Sequence, residues 1–448
     1  MTEPRPPFDM PAVEPPSFPG RVFEVRDLDP GNQATANTLA FRRAIAACHA
    51  AGGGTVWVPA GAWLTGPIRL LSHVNLHLER GALVRFTCRP ADYLPVVLTR
   101  WEGVECYNYS PLIYARDSQN VAVSGEGTLD GQGERWWHWK QLQQRAAATL
   151  YGAEAAGVPV EQRVYGTETA ALRPQFVQTV GCRNVLIEGV TFVDGPMWTI
   201  HPVYCENVLV RGVTVRSVGP NTDGLNPDSC RNVLIEGCTF STGDDCIAIN
   251  SGMNEDGWRV GRPCENVVIR DCCMSEGHGA VSIGSGMSGG VRHVYVHDCH
   301  VTGGDHGIRL KSVRGRGGFV EDVTVENVQM ANLRQEAILL TMFYGSSTAP
   351  SRSEAPPIFR DIHVKAVTCE GAGAAVEIRG LPEQPIERVV LEDLRLNAAR
   401  GIHCEEVNDL TLTMVRGTVE CEPFFHCSSV RGLNVTGMSV IKPERGEP

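Results

Sequence analysis

No stretch of these 448 residues approaches the ~18 consecutive apolar residues of a membrane-spanning helix. The first twenty residues, MTEPRPPFDMPAVEPPSFPG, are proline-rich and partly acidic. They lack the basic start and apolar centre of a signal peptide, so cytoplasmic residence is the expectation. Positive charge is also in deficit. Against 51 Asp and Glu stand 40 Lys and Arg, a formal net charge of −11 with no basic stripe, which argues against nucleic acid or a membrane surface as partner. No CxxC pair and no His/Cys cluster has zinc spacing, so neither a structural metal nor a cofactor is expected. The chain does hold 16 cysteines, several at strand positions (Cys238, Cys272, Cys299, Cys369). Thiols stacked on thiols of neighbouring rungs behave as small buried hydrophobes, and free thiols are expected rather than disulfides.

A nine-residue pattern, one polar residue followed by alternating apolar positions, begins at Asn184 (NVLIEGVTF). It recurs at Asn207, Asn232, Asn266, His293, Asp322, Asp361, Arg388, Asp409 and Gly432, at intervals of 21 to 39 residues. Such a loose period signals a solenoid with loops inserted in some coils. Each repeat has the alternation and β-branched enrichment of a strand, and no 3.6-residue periodicity survives between repeats, which leaves an all-β parallel β-helix. Val74–Leu78 and Asn120–Val123 fit as earlier, less regular coils. Asn37-Thr38 followed by LAFRRAIAACHAAGGG reads as an N-capped helix ended by glycines, placed to cap the first open rung. The organisation is therefore a proline-rich extension over 1–24 and one catalytic β-helix domain over 25–448. A stack growing along its axis escapes the usual domain-size limit.

Four short segments carry chemistry: Asn221-Thr222-Asp223, Gly243-Asp244-Asp245, Gly277-His278-Gly279 and Arg309-Leu310-Lys311. Rungs of a β-helix lie roughly 4.8 Å apart, so equivalent residues of successive coils form a ladder on one outer face. With Ile308 and Leu310 inside, Arg309 and Lys311 point outward, and with Val281 and Ile283 inside, so does His278. The aspartates break the rule. Strict alternation buries Asp245, so a bend or bulge near Gly243 is expected to expose both acids. Alone, each segment reads as a turn or a solvated strand face; in this order on one face they read as a site. Paired carboxylates suit glycoside hydrolysis, with a gap of ~6.5–9.5 Å in the inverting version. Crowding raises the proton affinity of at least one of them. The planar Arg309 and the point charge of Lys311 suit an acidic sugar, a uronic acid.

The segments NTDG, GDDCIAI, GHGAVSIGS and IRLKS, in this order and spacing, resemble the signature groups of glycoside hydrolase family 28, the polygalacturonase family. The text around them (SGMNEDGWRVGRPCENVVI, SGGVRHV, TMFYG) is similar to its bacterial exo-acting branch, from about Val25 onward. The resemblance implies a right-handed parallel β-helix that hydrolyses α-1,4-galacturonosyl bonds with inversion. It also implies Asp244 as general acid, Asp223 and Asp245 as the pair activating water, His278 as the orienting histidine, and Arg309 and Lys311 as binders of the substrate carboxylate. Tyr344 matches a sugar-contacting tyrosine, and Asn221 opens the first signature. Asn250 stands where many relatives carry lysine, which removes a positive charge near the cleft.

Trp198 and His201, in PMWTIHPV one coil before Asp223, are candidates to line a sugar subsite, although a tryptophan packed on the solenoid is the commoner outcome. The long stretch from Gly131 to Phe176, with Trp136, Trp137, Trp139 and a helix-like KQLQQRAAATL, reads as an insertion. It either walls one end of the groove and enforces exo action, or braces the first coils or a partner subunit of a homo-oligomer. Rival functions are endo-polygalacturonase, rhamnogalacturonan or xylogalacturonan hydrolase, a calcium-dependent pectate lyase, and a non-catalytic pectin-binding solenoid. The expected partner is a galacturonic-acid-containing oligo- or polysaccharide, short enough to be imported if the chain is cytoplasmic.

Overall fold

The computed structural model describes residues 5–25, 33–345 and 353–440. The first four residues of the proline-rich segment and the last eight of the predicted domain lie outside them. Strands from successive coils pair in parallel and in register, giving three long stacks. The first runs through Val74–Leu78, Gln119–Gly125, Arg183–Glu188, Glu206–Arg211, Arg231–Glu236 and Cys264–Arg270. The second runs through Thr128–Asp130, Thr191–Val193, Thr214–Ser217 and Thr239–Thr242. The third passes from Val177–Val180 and Ile200–Val203, by way of Leu225, to Ile247–Ile249, Gly279–Ile283 and His306–Lys311. The chain is thus a parallel β-helix, with apolar ladders such as Ile247, Val281, Ile308 and Ile338 filling its interior.

The polar residue that opens each repeat makes a corner. Asn184, Asn207, Asn232, Asn266, His293, Asp322, Asp361, Arg388 and Asp409 all adopt φ between 51° and 58°. Asn and Asp tolerate this left-handed backbone better than other residues with a Cβ. The asparagines also satisfy one another: Asn184 donates to Asn120 (2.8 Å), Asn207 to Asn184 (3.0 Å), Asn232 to Asn207 (3.1 Å) and Asn266 to Asn232 (2.9 Å). His293 ends this ladder, 3.0 Å from Asn266. All sixteen cysteines are free thiols, as expected. Seven of them form two buried columns, Cys182–Cys205–Cys230–Cys264 and Cys238–Cys272–Cys299.

Two expectations need correction. The capping helix spans Gln33–Ala50, so Asn37 and Thr38 lie inside it and are not its cap. They instead fasten it to the first coils: the Asn37 amide donates to the Leu64 carbonyl (3.0 Å) and the Thr38 hydroxyl accepts from the Gly66 N–H (2.7 Å). The extension is not separate either. Val22–Glu24 is the first rung, paired with Thr55–Trp57. Before it, Phe8 stacks on His293 (5.2 Å between ring centres), while Met10, Val13 and Phe18 pack on Ala122, Leu186, Leu209 and Leu234. This strap covers the outward apolar residue of each V-L-I triplet, which strict alternation would leave in water.

Candidate active site

The four sequence segments converge where the second stack hands over to the third. The coil carrying Asn221-Thr222-Asp223 is a turn, which the Thr222 hydroxyl closes by donating to the carbonyls of Ser217 (2.7 Å) and Gly219 (2.6 Å). Its other tie is Arg173, fully buried, whose guanidinium donates to the Pro196 and Pro220 carbonyls and to Asn221 Oδ1 (2.7 Å). Burial lowers the affinity of Arg173 for its proton to about 10, still far above neutral pH.

Asp244 and Asp245 lie in the corner between Thr239–Thr242 and Ile247–Ile249, not within a strand, which is how the chain escapes alternation. The expected exposure of both acids does not occur. Asp245 is 2% exposed and Asp223 4%, while the Asp244 side chain keeps 20%. The acids form a floor rather than a rim. Glycine at 277 and 279 makes this possible. Gly277 has φ +144°, and a Cβ there would meet the Asp244 carbonyl at 2.6 Å; at Gly279 it would meet Asp245 Oδ1 at 2.8 Å and the Ser282 hydroxyl at 2.3 Å.

One oxygen from each of Asp223, Asp244 and Asp245 lies within 4.8 Å of the others. That is close enough for one water to touch all three. Their environments differ. Asp245 is clamped, Oδ2 accepting from Lys311 Nζ at 2.6 Å and Oδ1 from the Ser282 hydroxyl at 2.8 Å, with Arg309 3.5 Å away. Asp223 accepts from Asn226 on Oδ2 (2.9 Å), and its buried Oδ1 has no partner among the described residues. Burial, then repulsion from Asp244 and Asp245, raises its proton affinity well above the carboxylate range. Burial also works against the charge of Asp244, but the His278 hydrogen bond (3.0 Å) and the Lys311 charge outweigh it and hold that carboxyl below its usual range. The predicted crowding effect therefore falls on Asp223. His278, with 52% of its side chain exposed, gains proton affinity from the hydrogen bond to Asp244.

Lys311 is buried, and the charge of Asp245 keeps its amine protonated although burial opposes it. Tyr344 stands over both cations, its ring centre 5.1 Å from Lys311 Nζ and 5.6 Å from the Arg309 guanidinium. A cavity of about 510 Å³ is lined by the three aspartates, Lys311, Tyr344, Asn221, Trp198 and Asn250, with Arg309 and His278 outside the lining. His201 does not reach it. It is fully buried beneath Trp198, between Gln178 (2.9 Å) and Asp228 (3.4 Å), and its proposed contact with substrate is withdrawn.

The insertion both packs on the first coils and reaches the cavity. Trp136 and Trp139 are buried against the first coils, and Lys140, one residue on, lines the cavity with Tyr151 from the helix Gln144–Ala155. Glu102 and Arg316 line it as well, residues that sequence reasoning missed. Their only signals were the tight W-E-G turn, where Glu102 has φ 44°, and the glycine-flanked Arg316 in RGRGG.

Residues 162–421 match the family model described as Glycosyl hydrolases family 28. A probable polygalacturonase of Vitis vinifera is 32% identical over 382 residues, 82% of this chain and 72% of that protein. The exo-poly-alpha-D-galacturonosidase of Dickeya chrysanthemi is 27% identical over 427 residues, 85% of this chain and 67% of that protein. Among solved structures, a hyperthermoactive exopolygalacturonase from Thermotoga maritima superposes with TM-score 0.86 at 38% identity, covering 92% of this chain and 95% of that one. A stacked-coil fold, an acid cluster in one corner of it and this degree of likeness lead to one conclusion: the chain is a glycoside hydrolase belonging to glycosyl hydrolases family 28.

Proposed function

We propose that the chain hydrolyses α-1,4-galacturonosyl bonds in oligogalacturonides, one terminal unit at a time and with inversion. The observation that carries this reading is the buried Asp245–Lys311 pair beside two further carboxylates in one cavity. Lys311 and Arg309 supply positive charge for the carboxylate of a uronic acid. Both oxygens of Asp245 are engaged, so it is better suited to orient water than to attack carbon, and Asp223 Oδ1 offers that water a second contact. Asp244 is the general acid on this reading. Its proton comes through the hydrogen bond with His278, so the two act as one acid.

The presence of Lys140 and Tyr151 from the insertion in the cavity lining supports exo action. The preferred substrate is then a short acidic oligomer, trimmed at its terminus. A second reading has Asp223 as the acid, and its raised proton affinity favours it. The two are separable by leaving group: an activated aryl galacturonide rescues loss of the acid but not loss of the base. Asp244→Asn is expected to be rescued and Asp223→Asn not; the reverse pattern would exchange their roles. The primary test is a time course on trigalacturonate in the presence of a calcium chelator, followed by proton NMR. Early monomer and dimer of inverted configuration support the proposal. Retained configuration would make one aspartate a nucleophile. Unsaturated ends appearing only when calcium is restored would mean a lyase.

A further inference from the structure

Arg173 holds one amide of the catalytic corner a single way round. Its side chain is fully buried, and its guanidinium donates to four neutral acceptors: Gln143 Oε1 (3.1 Å), the carbonyls of Pro196 (3.1 Å) and Pro220 (2.6 Å), and Asn221 Oδ1 (2.7 Å). It makes no ion pair among the described residues, and its charge is drawn toward Glu102, Asp244 and Asp223. A guanidinium can only donate, so the Asn221 amide turns its oxygen to Arg173 and its NH2 group the other way. That NH2 group donates to Asp244 Oδ2 at 3.4 Å. The other oxygen of Asp244 is engaged twice, by His278 (3.0 Å) and by the Asp245 N–H (2.9 Å). Oδ2 is therefore the oxygen left to hand a proton to a leaving group.

We infer that Arg173 is a positioning residue for the general acid, locking the Asn221 amide so that Asp244 Oδ2 meets a donor and never an acceptor. This rests on the reading of Asp244 as the acid. With the amide turned over, its oxygen would face Oδ2, accept the acid's proton and hold it away from the substrate, while its NH2 group would meet the guanidinium, donor against donor in a buried place. In the orientation seen, the NH2 group cannot take that proton. The glycosidic oxygen receives it as the anomeric C–O bond breaks, and His278 returns one through Oδ1. The same N–H then stabilises the carboxylate left behind. Arg173 and Gln143, buried at the start of the helix Gln144–Ala155, both belong to the insertion, so the insertion takes part in proton transfer as well as in lining the cavity.

The test uses the full-length enzyme and two substrates, trigalacturonate and the activated aryl galacturonide, whose leaving group departs without a proton. Arg173→Gln is expected to lower kcat on trigalacturonate by about 10- to 100-fold with KM within about threefold of native, and to turn over the aryl galacturonide within about threefold of native. Asn221→Gly, at a half-buried position whose φ of 56° suits glycine, should show the same rescue, and it decides the matter if Arg173→Gln does not fold. The double variant should be no worse than the more impaired single one, because Arg173 acts through the amide. A residue that merely braced the coils would slow both substrates alike or lower only the melting temperature. Either result, or losses that multiply in the double variant, overturns the assignment. Asp244→Asn, run alongside, separates this inference from the reading beneath it. If the aryl substrate rescues Asp244→Asn but neither Arg173→Gln nor Asn221→Gly, only this inference is lost; if it does not rescue Asp244→Asn, the acid reading goes and this one with it.

Discussion

The molecule contains two polar columns built by the same coils, one of asparagines and one of aspartates, and they behave oppositely. In the asparagine column each side chain is both donor and acceptor, so stacking identical residues closes every bond from Asn120 to Asn266. In the acid corner Asp223, Asp244 and Asp245 can only accept when ionised, so they need help from outside their own kind: Lys311, His278, Asn226 and a proton. A self-sufficient column supports the fold. An insufficient one holds unpaired atoms and displaced proton affinities ready for a substrate, and the same stacking geometry yields both.

The contrast can be broken experimentally. Asp244→Asn should lower kcat by about 10³–10⁴-fold while binding persists, with some loss of thermal stability near neutral pH, because the carboxylate that His278 and Lys311 hold below its usual range stabilises the fold there. Unaltered turnover would make the acid corner as structural as the asparagines. Lys311→Met leaves Asp245 charged and buried, and should cost about 3–5 kcal/mol in denaturant unfolding as well as activity. A silent substitution there would mean that the corner is not under electrostatic tension. On the other column, Asn232→Ala should cost about 1–2 kcal/mol for the left-handed backbone, plus part of two hydrogen bonds, with kcat unchanged. Asn232→Gly should recover the backbone share.

Smaller effects sharpen the difference. Asp223 binds its proton more tightly folded than unfolded, so its contribution to stability is present at acid pH and lost as pH rises through the raised value. Melting curves across pH should show that decline in the native protein and not in Asp223→Asn. His278, likewise raised, should place the alkaline limb of kcat above the ordinary histidine range, and His278→Gln should move that limb toward acid pH.

Much of this was legible in the residues. The period of the N-V-x-V repeats gave the stack, and the residue opening each repeat proved to be the left-handed corner, because few residues with a Cβ besides Asn and Asp accept that backbone. The four segments meet in one corner, as their coil spacing suggested. What stayed hidden depends on distance along the chain. Arg173 and Glu102 reach the site from irregular segments with no repeat to register them, and Lys140 and Tyr151 from the insertion. Burial of Asp245 was misjudged because the bend near Gly243 was expected to turn it to solvent, whereas it turns the carboxylate onto Lys311 and Ser282. The strap had a visible cue that was passed over: triplets such as Val185-Leu186-Ile187, whose middle residue faces outward, announce a cover.

That strap has a consequence for how the chain is made. A solenoid can assemble rung by rung as it leaves the ribosome, each coil needing only the one before it. The ring that Phe8 stacks on, His293, is 285 positions later in the chain. The Phe8 end of the strap must therefore wait, undocked, while most of the coils form. Its arrival joins rungs that are otherwise strangers, so the finished molecule should melt as one body rather than fray from an end.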